Sequence, residues 1–244
     1  MQTTALFTKM KVEIHFSLEV RGKFDENERL TYVQAKKEFL EGMDSGIGGI
    51  ELVRAAYNRL DSITDEYLKD NPIVCHAGCG WCCYQLICCT TLEMELIVEH
   101  IKSCIRNIRR DLVKRIRKEA FWLNRFYQAE RAKLLQNYTI LRWEQLAKPM
   151  QEAYYGKRPC PFLNQKKECS IYPVRPIDCR IAKTDEEICG QRTSQKVNKM
   201  GIRLFADQIA SDVIMDEENK IYGERQVVPL AAWALTERFN KIFF

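Results

Sequence analysis

The sequence predicts a mainly α-helical protein, a single helical domain with a short N-terminal β element and two cysteine-rich loops. Apolar residues recur every three or four positions over much of the chain, which is typical of amphipathic helices. The 11 cysteines fall into two blocks, with none before Cys75, none between Cys104 and Cys160, and none after Cys189. Two blocks separated by a long helical stretch predict two loops that the fold brings together.

The N-terminal β element is predicted by alternation of polar and apolar side chains. Within residues 11–20, the apolar positions are Val12, Ile14, Phe16, Leu18 and Val20. This period of two is typical of a half-buried strand. Two helices are predicted next, over residues 26–40 and 50–68, with a turn at the glycine-rich residues 46–49. The second helix is expected to end before Pro72.

Two further helical regions follow the first cysteine block. Thr90 and Glu93 have the spacing of a capping box, in which each residue satisfies a free backbone amide of the other at a helix start. A helix is therefore predicted just beyond Cys89. Residues 111–155 are rich in good helix formers, and they predict one or two long helices.

Prolines shape the second cysteine block, because each proline fixes its own φ and biases the preceding residue away from helix. An extended, rigid loop is predicted around Pro159, Pro161, Pro173 and Pro176. Helical patterning returns over residues 206–215 and 229–243. The predicted organisation is one domain, with the strand and helices in residues 1–74, the cysteine-cluster region in residues 75–190 and the C-terminal helices in residues 191–244.

A disulfide framework is the competing explanation for so many cysteines, and it requires an oxidising compartment. The N-terminus carries Lys9, Lys11 and Glu13 where a secretory signal needs an apolar segment. A chain of 244 residues is also long enough to bury a core without disulfides. We therefore expect a cytoplasmic protein with reduced thiols, and the lack of a long apolar run predicts no membrane insertion.

Thiolates are good ligands for zinc and iron, so the two blocks predict two metal-binding loops. The candidate metal ligands are Cys75, Cys79, Cys82, Cys83, Cys160, Cys169 and Cys179. One zinc ion takes four ligands, so an iron–sulfur cluster or iron accounts better for the surplus of thiols, with zinc as the alternative. Only one of the adjacent Cys82 and Cys83 is expected to bind a given ion, because neighbouring side chains leave the backbone in different directions.

Several thiolates around one metal leave a negatively charged site. Arg175 and Arg180 are the candidate cofactor-binding residues, because their guanidinium groups would offset this charge and donate hydrogen bonds to sulfur. His76 is expected beside the site and not on the metal. The sequence leaves open whether Cys88, Cys89 and Cys189 take part.

Basic residues are concentrated in residues 106–118, which carry seven arginine and lysine side chains against one aspartate. The apolar face of this helical segment is predicted to consist of Ile105, Ile108, Leu112 and Ile116. Such a segment is typical of a solvated helix surface. We expect a metal ion or cluster as the partner in preference to nucleic acid, and the sequence does not identify a protein partner.

The two cysteine blocks resemble a known family. CHAGCGWCC at residues 75–83, and CPFL with CSIYPVRPIDCR within residues 160–180, are similar to the bacterial YkgJ-like, or CxxCxxCC, cysteine-cluster family, whose members are described as zinc- or iron-chelating. The resemblance covers roughly residues 75–190. It implies metal ligands at the seven cysteines above and an acidic residue at Glu93. One branch looks related to the flagellin lysine N-methylases, which implies methyl transfer that depends on a cluster.

Three functions are consistent with the sequence. The favoured one is a cytoplasmic protein that holds an iron–sulfur cluster or iron through two converging cysteine-rich loops. A structural zinc-binding interaction module is the alternative. A cluster-dependent protein-lysine methyltransferase is the second alternative, and it rests on the resemblance alone. The sequence contains no nucleophile motif and no glycine-rich cofactor loop, so it does not decide whether the protein is an enzyme.

Overall fold

The protein is mainly helical in the computed structural model, as the sequence predicts. The structure describes residues 26–70, 75, 78–134, 143–154, 157–180, 182, 205–223 and 227–235. Within these ranges the chain forms seven α-helices, two short strands and three short 3-10 segments. The predicted strand at residues 12–20, together with His76 and Cys189, lies outside the described residues.

The first two helices, α1 (Glu26–Glu41) and α2 (Gly49–Asp70), lie close to their predicted bounds. The turn between them depends on glycine, because Gly46 and Gly49 have φ of 83° and 59°, in the left-handed region. Helix α2 ends before Pro72, as predicted. Its buried face consists of Leu52, Val53, Ala56, Tyr57, Leu60 and Thr64.

A short strand, β1 (Cys88–Thr90), leads into helix α3 (Thr91–Ser103). The predicted capping box is confirmed. The Glu93 amide donates to the Thr90 hydroxyl at 3.2 Å, and the Thr90 amide donates to the Glu93 carboxylate at 2.8 Å. Strand β1 pairs antiparallel with β2 (Val227–Pro229), a pair that the sequence pattern did not predict.

The long helical region consists of two helices, α4 (Arg106–Leu134) and α5 (Trp143–Tyr154). The predicted apolar face of α4 is correct in part. Leu112 and Ile116 are fully buried, but Ile105 and Ile108 are 65% and 47% exposed. Ile105 precedes the first residue of the helix and Ile108 lies in its first turn, so both side chains lie at the end of α4.

The C-terminal part begins with a one-turn helix, α6 (Ile177–Arg180), and a long helix, α7 (Phe205–Tyr222). Helix α7 confirms the helix predicted over residues 206–215 and extends further. The region predicted as helix from residue 229 begins instead with the end of β2 and a 3-10 segment (Leu230–Leu235). The rest of that predicted helix lies outside the described residues.

The main core lies between α2, α3, α4 and α7. The second cysteine block packs onto this core through four buried side chains, Phe162, Ile171, Val174 and Ile177. Four cysteines of the two blocks, Cys83, Cys104, Cys169 and Cys179, lie partly buried against the same core. The cysteine-rich loops therefore rest on a helical platform. None of the described helices combines the length and the apolar composition that a membrane span requires.

Candidate metal centre

The first cysteine loop turns sharply at two glycines. Gly78 and Gly80 have φ of 82° and 65°, values that residues with a Cβ atom rarely adopt. Gly80 is the residue before a 3-10 segment (Trp81–Tyr84), and its carbonyl accepts a hydrogen bond from the Cys83 amide at 3.2 Å. This short helical segment presents the adjacent Cys82 and Cys83.

The second cysteine loop is more ordered than the extended segment predicted from its prolines. Its first part folds back on itself, with an isolated bridge between Leu163 and Cys169. The Asn164 side chain closes this turn, because its oxygen accepts from the amides of Lys166 at 2.8 Å and Glu168 at 2.9 Å. The later part contains a 3-10 segment (Tyr172–Val174) and helix α6. Pro173 lies at the start of the 3-10 segment and Pro176 directly precedes α6, and proline is favoured at helix starts.

The two loops are in direct contact. The Cys160 amide donates to the Cys83 carbonyl at 2.6 Å. The backbone at Gly80 lies so close to the second loop that a Cβ there would meet Lys167 Cβ at 3.3 Å and Leu163 Cδ1 at 3.4 Å. Glycine therefore suits position 80 in two ways, because the positive φ strains other residues and because the loops approach closely there.

Five thiols from both loops lie near enough to influence each other's ionisation. We call this set the thiol cluster, and it consists of Cys82, Cys83, Cys160, Cys169 and Cys179. A hydrogen bond with the Cys83 thiol lowers the pKa of Cys82 to about 7, and it raises the pKa of Cys83. Burial raises the pKa of the other three members, to about 12 for Cys160, and charge on neighbouring thiols of the cluster adds to each rise.

Arg175 is the cation of the thiol cluster. After the hydrogen bond with Cys83, its positive charge further lowers the pKa of Cys82, and it offsets part of the rise that burial causes in the pKa of Cys169. The guanidinium lies over the Tyr172 ring, 4.1 Å from the ring centre. Its Nε is buried and has no hydrogen-bond partner among the described residues. The structure thus brings one of the two predicted arginines to the thiols.

Arg180 has a different surrounding. Its side chain is 2% exposed and its guanidinium donates to the carbonyls of Pro173 at 2.7 Å and Arg175 at 3.0 Å. It also forms an ion pair with Asp61 and lies 4.0 Å from the centre of the Tyr57 ring. These contacts direct Arg180 toward α2 and toward the backbone of its own loop, where it ties the two together.

Glu93 is a second buried anchor of the same loop. Its side chain accepts from the Tyr57 hydroxyl, the Ile177 amide and the Thr90 amide, each at 2.8 Å. Ile177 is the first residue of α6, so the carboxylate holds the start of the turn that carries Cys179. The sequence could identify Glu93 as a helix cap, but not as a contact of the cysteine loop.

The surroundings of the other described cysteines differ from one to the next. Burial and the nearby carboxylates of Glu93 and Asp178 raise the pKa of both Cys88 and Cys89. Cys104 donates from its sulfur to the His100 carbonyl at 3.4 Å. Cys75 and Cys79 are partly buried at the start of the first loop. The predicted ligands thus divide into five thiols of the cluster and two at the entrance to the first loop.

The five thiols of the cluster lie near one another, but they do not have the arrangement of a metal-coordination site. Within the described ranges, no group of three or more cysteine, histidine or acidic side chains is arranged so that it could hold a metal ion. No family model, curated protein or solved structure matches the chain. The family resemblance therefore stays a prediction, and the function has to be argued from the residues themselves.

Proposed function

We propose that this protein binds metal through its cysteines and holds an iron–sulfur cluster or iron between the two loops, in the cytoplasm. The observation that carries the proposal is the thiol cluster. Five thiols from separate parts of the chain lie together beside one arginine. Thiolates select zinc, copper(I) and iron–sulfur clusters, so the donor set fits a thiophilic metal.

The positive charge beside the thiols supports the proposal on electrostatic grounds. Neutral thiols that are merely packed in a core would need no cation beside them. Thiolates around a metal leave a net negative charge, and Arg175 supplies a positive charge at the cluster. The Arg175 Nε has no hydrogen-bond partner among the described residues, so it is available to donate to a thiolate sulfur. When bound, the metal or cluster would supply redox or structural chemistry, with its ligands drawn from the five thiols and from Cys75 and Cys79.

The experiment is a determination of iron, zinc and acid-labile sulfide in protein purified without oxygen, with a visible absorption spectrum of the same sample. Iron with matching sulfide and a brown charge-transfer band is expected. Cys160→Ser and Cys169→Ser should lower the metal content, whereas the control Cys104→Ser should not, because Cys104 bonds to a helix carbonyl.

Two results would change the assignment. Zinc in stoichiometric amount without colour or sulfide would replace the iron assignment by the zinc-binding module. Protein that contains neither iron nor zinc, and takes up neither on reconstitution, would overturn the metal proposal itself.

A further inference from the structure

Helix α4 carries a row of cations on its outer face. The row and one aromatic residue within it form what we call the α4 basic stripe, which consists of Arg110, Lys114, Arg117, Lys118, Phe121 and Arg125. All six side chains are exposed. Residues spaced by three and four share one face of a helix, and at 1.5 Å per residue this stripe extends over about 22 Å.

Phe121 is the unusual member of the stripe. It is 61% exposed and lies in the middle of the cations, with the Arg125 guanidinium 6.0 Å from the centre of its ring. The opposite face of α4 is committed to the protein interior, where Leu112, Ile116 and Ala120 are fully buried. Phe121 is therefore not an edge of the core.

The acidic side chains of this part of α4 are engaged away from the stripe. Asp111 pairs with Arg115 at 3.0 Å, and the Glu119 carboxylate is held by Arg158, with two contacts of 2.9 Å. Arg115 in turn donates to the carbonyls of Pro161 and Leu163 in the second cysteine loop. The stripe itself therefore consists of five cations and one aromatic residue, with no acidic side chain among them.

We propose that the α4 basic stripe binds single-stranded nucleic acid, with phosphates on the cations and a base stacked on Phe121. A row of cations complements the phosphate backbone, and an exposed aromatic ring within the row offers a face to an unpaired base. A bilayer surface fits less well, because a helix that lies in a membrane needs a free apolar face, and that of α4 is buried in the core.

The test is the binding of a fluorescent oligothymidine of about 12 nucleotides, a length typical of such sites, to the purified full-length protein by anisotropy. Affinity should fall with salt, with a slope of log K against log salt of about −3.5 for five phosphate contacts. Lys114→Gln and Lys118→Gln should each reduce that slope by about 0.7. Phe121→Ala should weaken binding roughly 5- to 150-fold and leave the slope unchanged.

Matched controls separate this surface from general charge and from the metal site. Lys37→Gln removes an exposed lysine of α1 and should leave binding unchanged. The stripe variants should also keep the metal content of the parent protein. The proposal is overturned if the oligonucleotide does not bind at low salt, if Phe121→Ala binds as tightly as the parent, or if the stripe variants lose affinity only for vesicles containing phosphatidylserine.

Discussion

The replacement Arg180→Met tests whether this arginine anchors the second cysteine loop or serves the proposed metal directly. The buried guanidinium makes two charge-assisted hydrogen bonds to the carbonyls of Pro173 and Arg175. Each is worth about 1.5–3 kcal/mol, and stacking on Tyr57 in a desolvated place adds up to about 2 kcal/mol. Asp61 is 45% exposed, so its ion pair is screened and contributes at most about 1 kcal/mol.

Methionine would recover part of this loss, because it fills a similar apolar volume. We therefore expect Arg180→Met to lower the free energy of unfolding of the metal-free protein by about 3–5 kcal/mol, as for other buried charges whose partners are left behind. Urea unfolding followed by circular dichroism measures this loss. Arg180→Lys keeps the charge but loses the forked geometry, so its cost should be smaller but substantial.

The matched control is Arg54→Met on the same helix, α2, that Arg180 contacts. Arg54 pairs with Glu51 and Glu99 at the surface, so its loss should cost less than about 1 kcal/mol. The reasoning is refuted if Arg180→Met is no more costly than this control. If Arg180→Met keeps the stability of the parent but loses its metal, Arg180 serves the metal and not the loop.

Three other predictions concern single residues. Gly80→Ala should destabilise the protein more than Gly223→Ala in urea unfolding, because both glycines have positive φ but only the Cβ at position 80 meets the second loop. Thr90→Ala should cost about 1–2 kcal/mol in the same assay, through loss of the α3 cap. Stability should fall from about pH 7.5 to 9.5, because the buried Cys89 thiol stays protonated in the folded state while the unfolded thiol ionises near its usual pKa of about 8.5. Cys89→Ala should remove about 1.4 kcal/mol of that fall, and an unchanged fall would contradict the assignment.

The helices could be predicted because their signals are local. The spacing of apolar residues in α2 and the capping box at Thr90 and Glu93 each lie within a few turns of chain. The pair β1–β2 could not be predicted, because each strand has three residues and its partner lies at the other end of the described chain. Ile108 was assigned wrongly for a related reason, since periodicity gives a helix face but not where the core ends along the helix.

The candidate site could be predicted in composition but not in arrangement. Clustering of the cysteines identifies the two loops, and all five members of the thiol cluster are among the predicted ligands. Arg175 and Arg180 are equivalent in sequence, because both lie close to cysteines. What distinguishes them is the contact of Arg180 with Tyr57 and Asp61, residues that are distant in the chain.

The anchors explain how a proline-rich loop can present thiols at a fixed place. Glu93 holds the first residue of α6 and Arg180 is its last residue, so the single turn that carries Cys179 is fixed at both ends to buried groups. Tyr57 contacts both anchors from α2. The contacts of Glu93 and Arg180 use no thiol of the cluster, so they order this turn whether or not a metal is bound. Under the proposed function, the binding energy of a metal would then contribute to affinity instead of to folding.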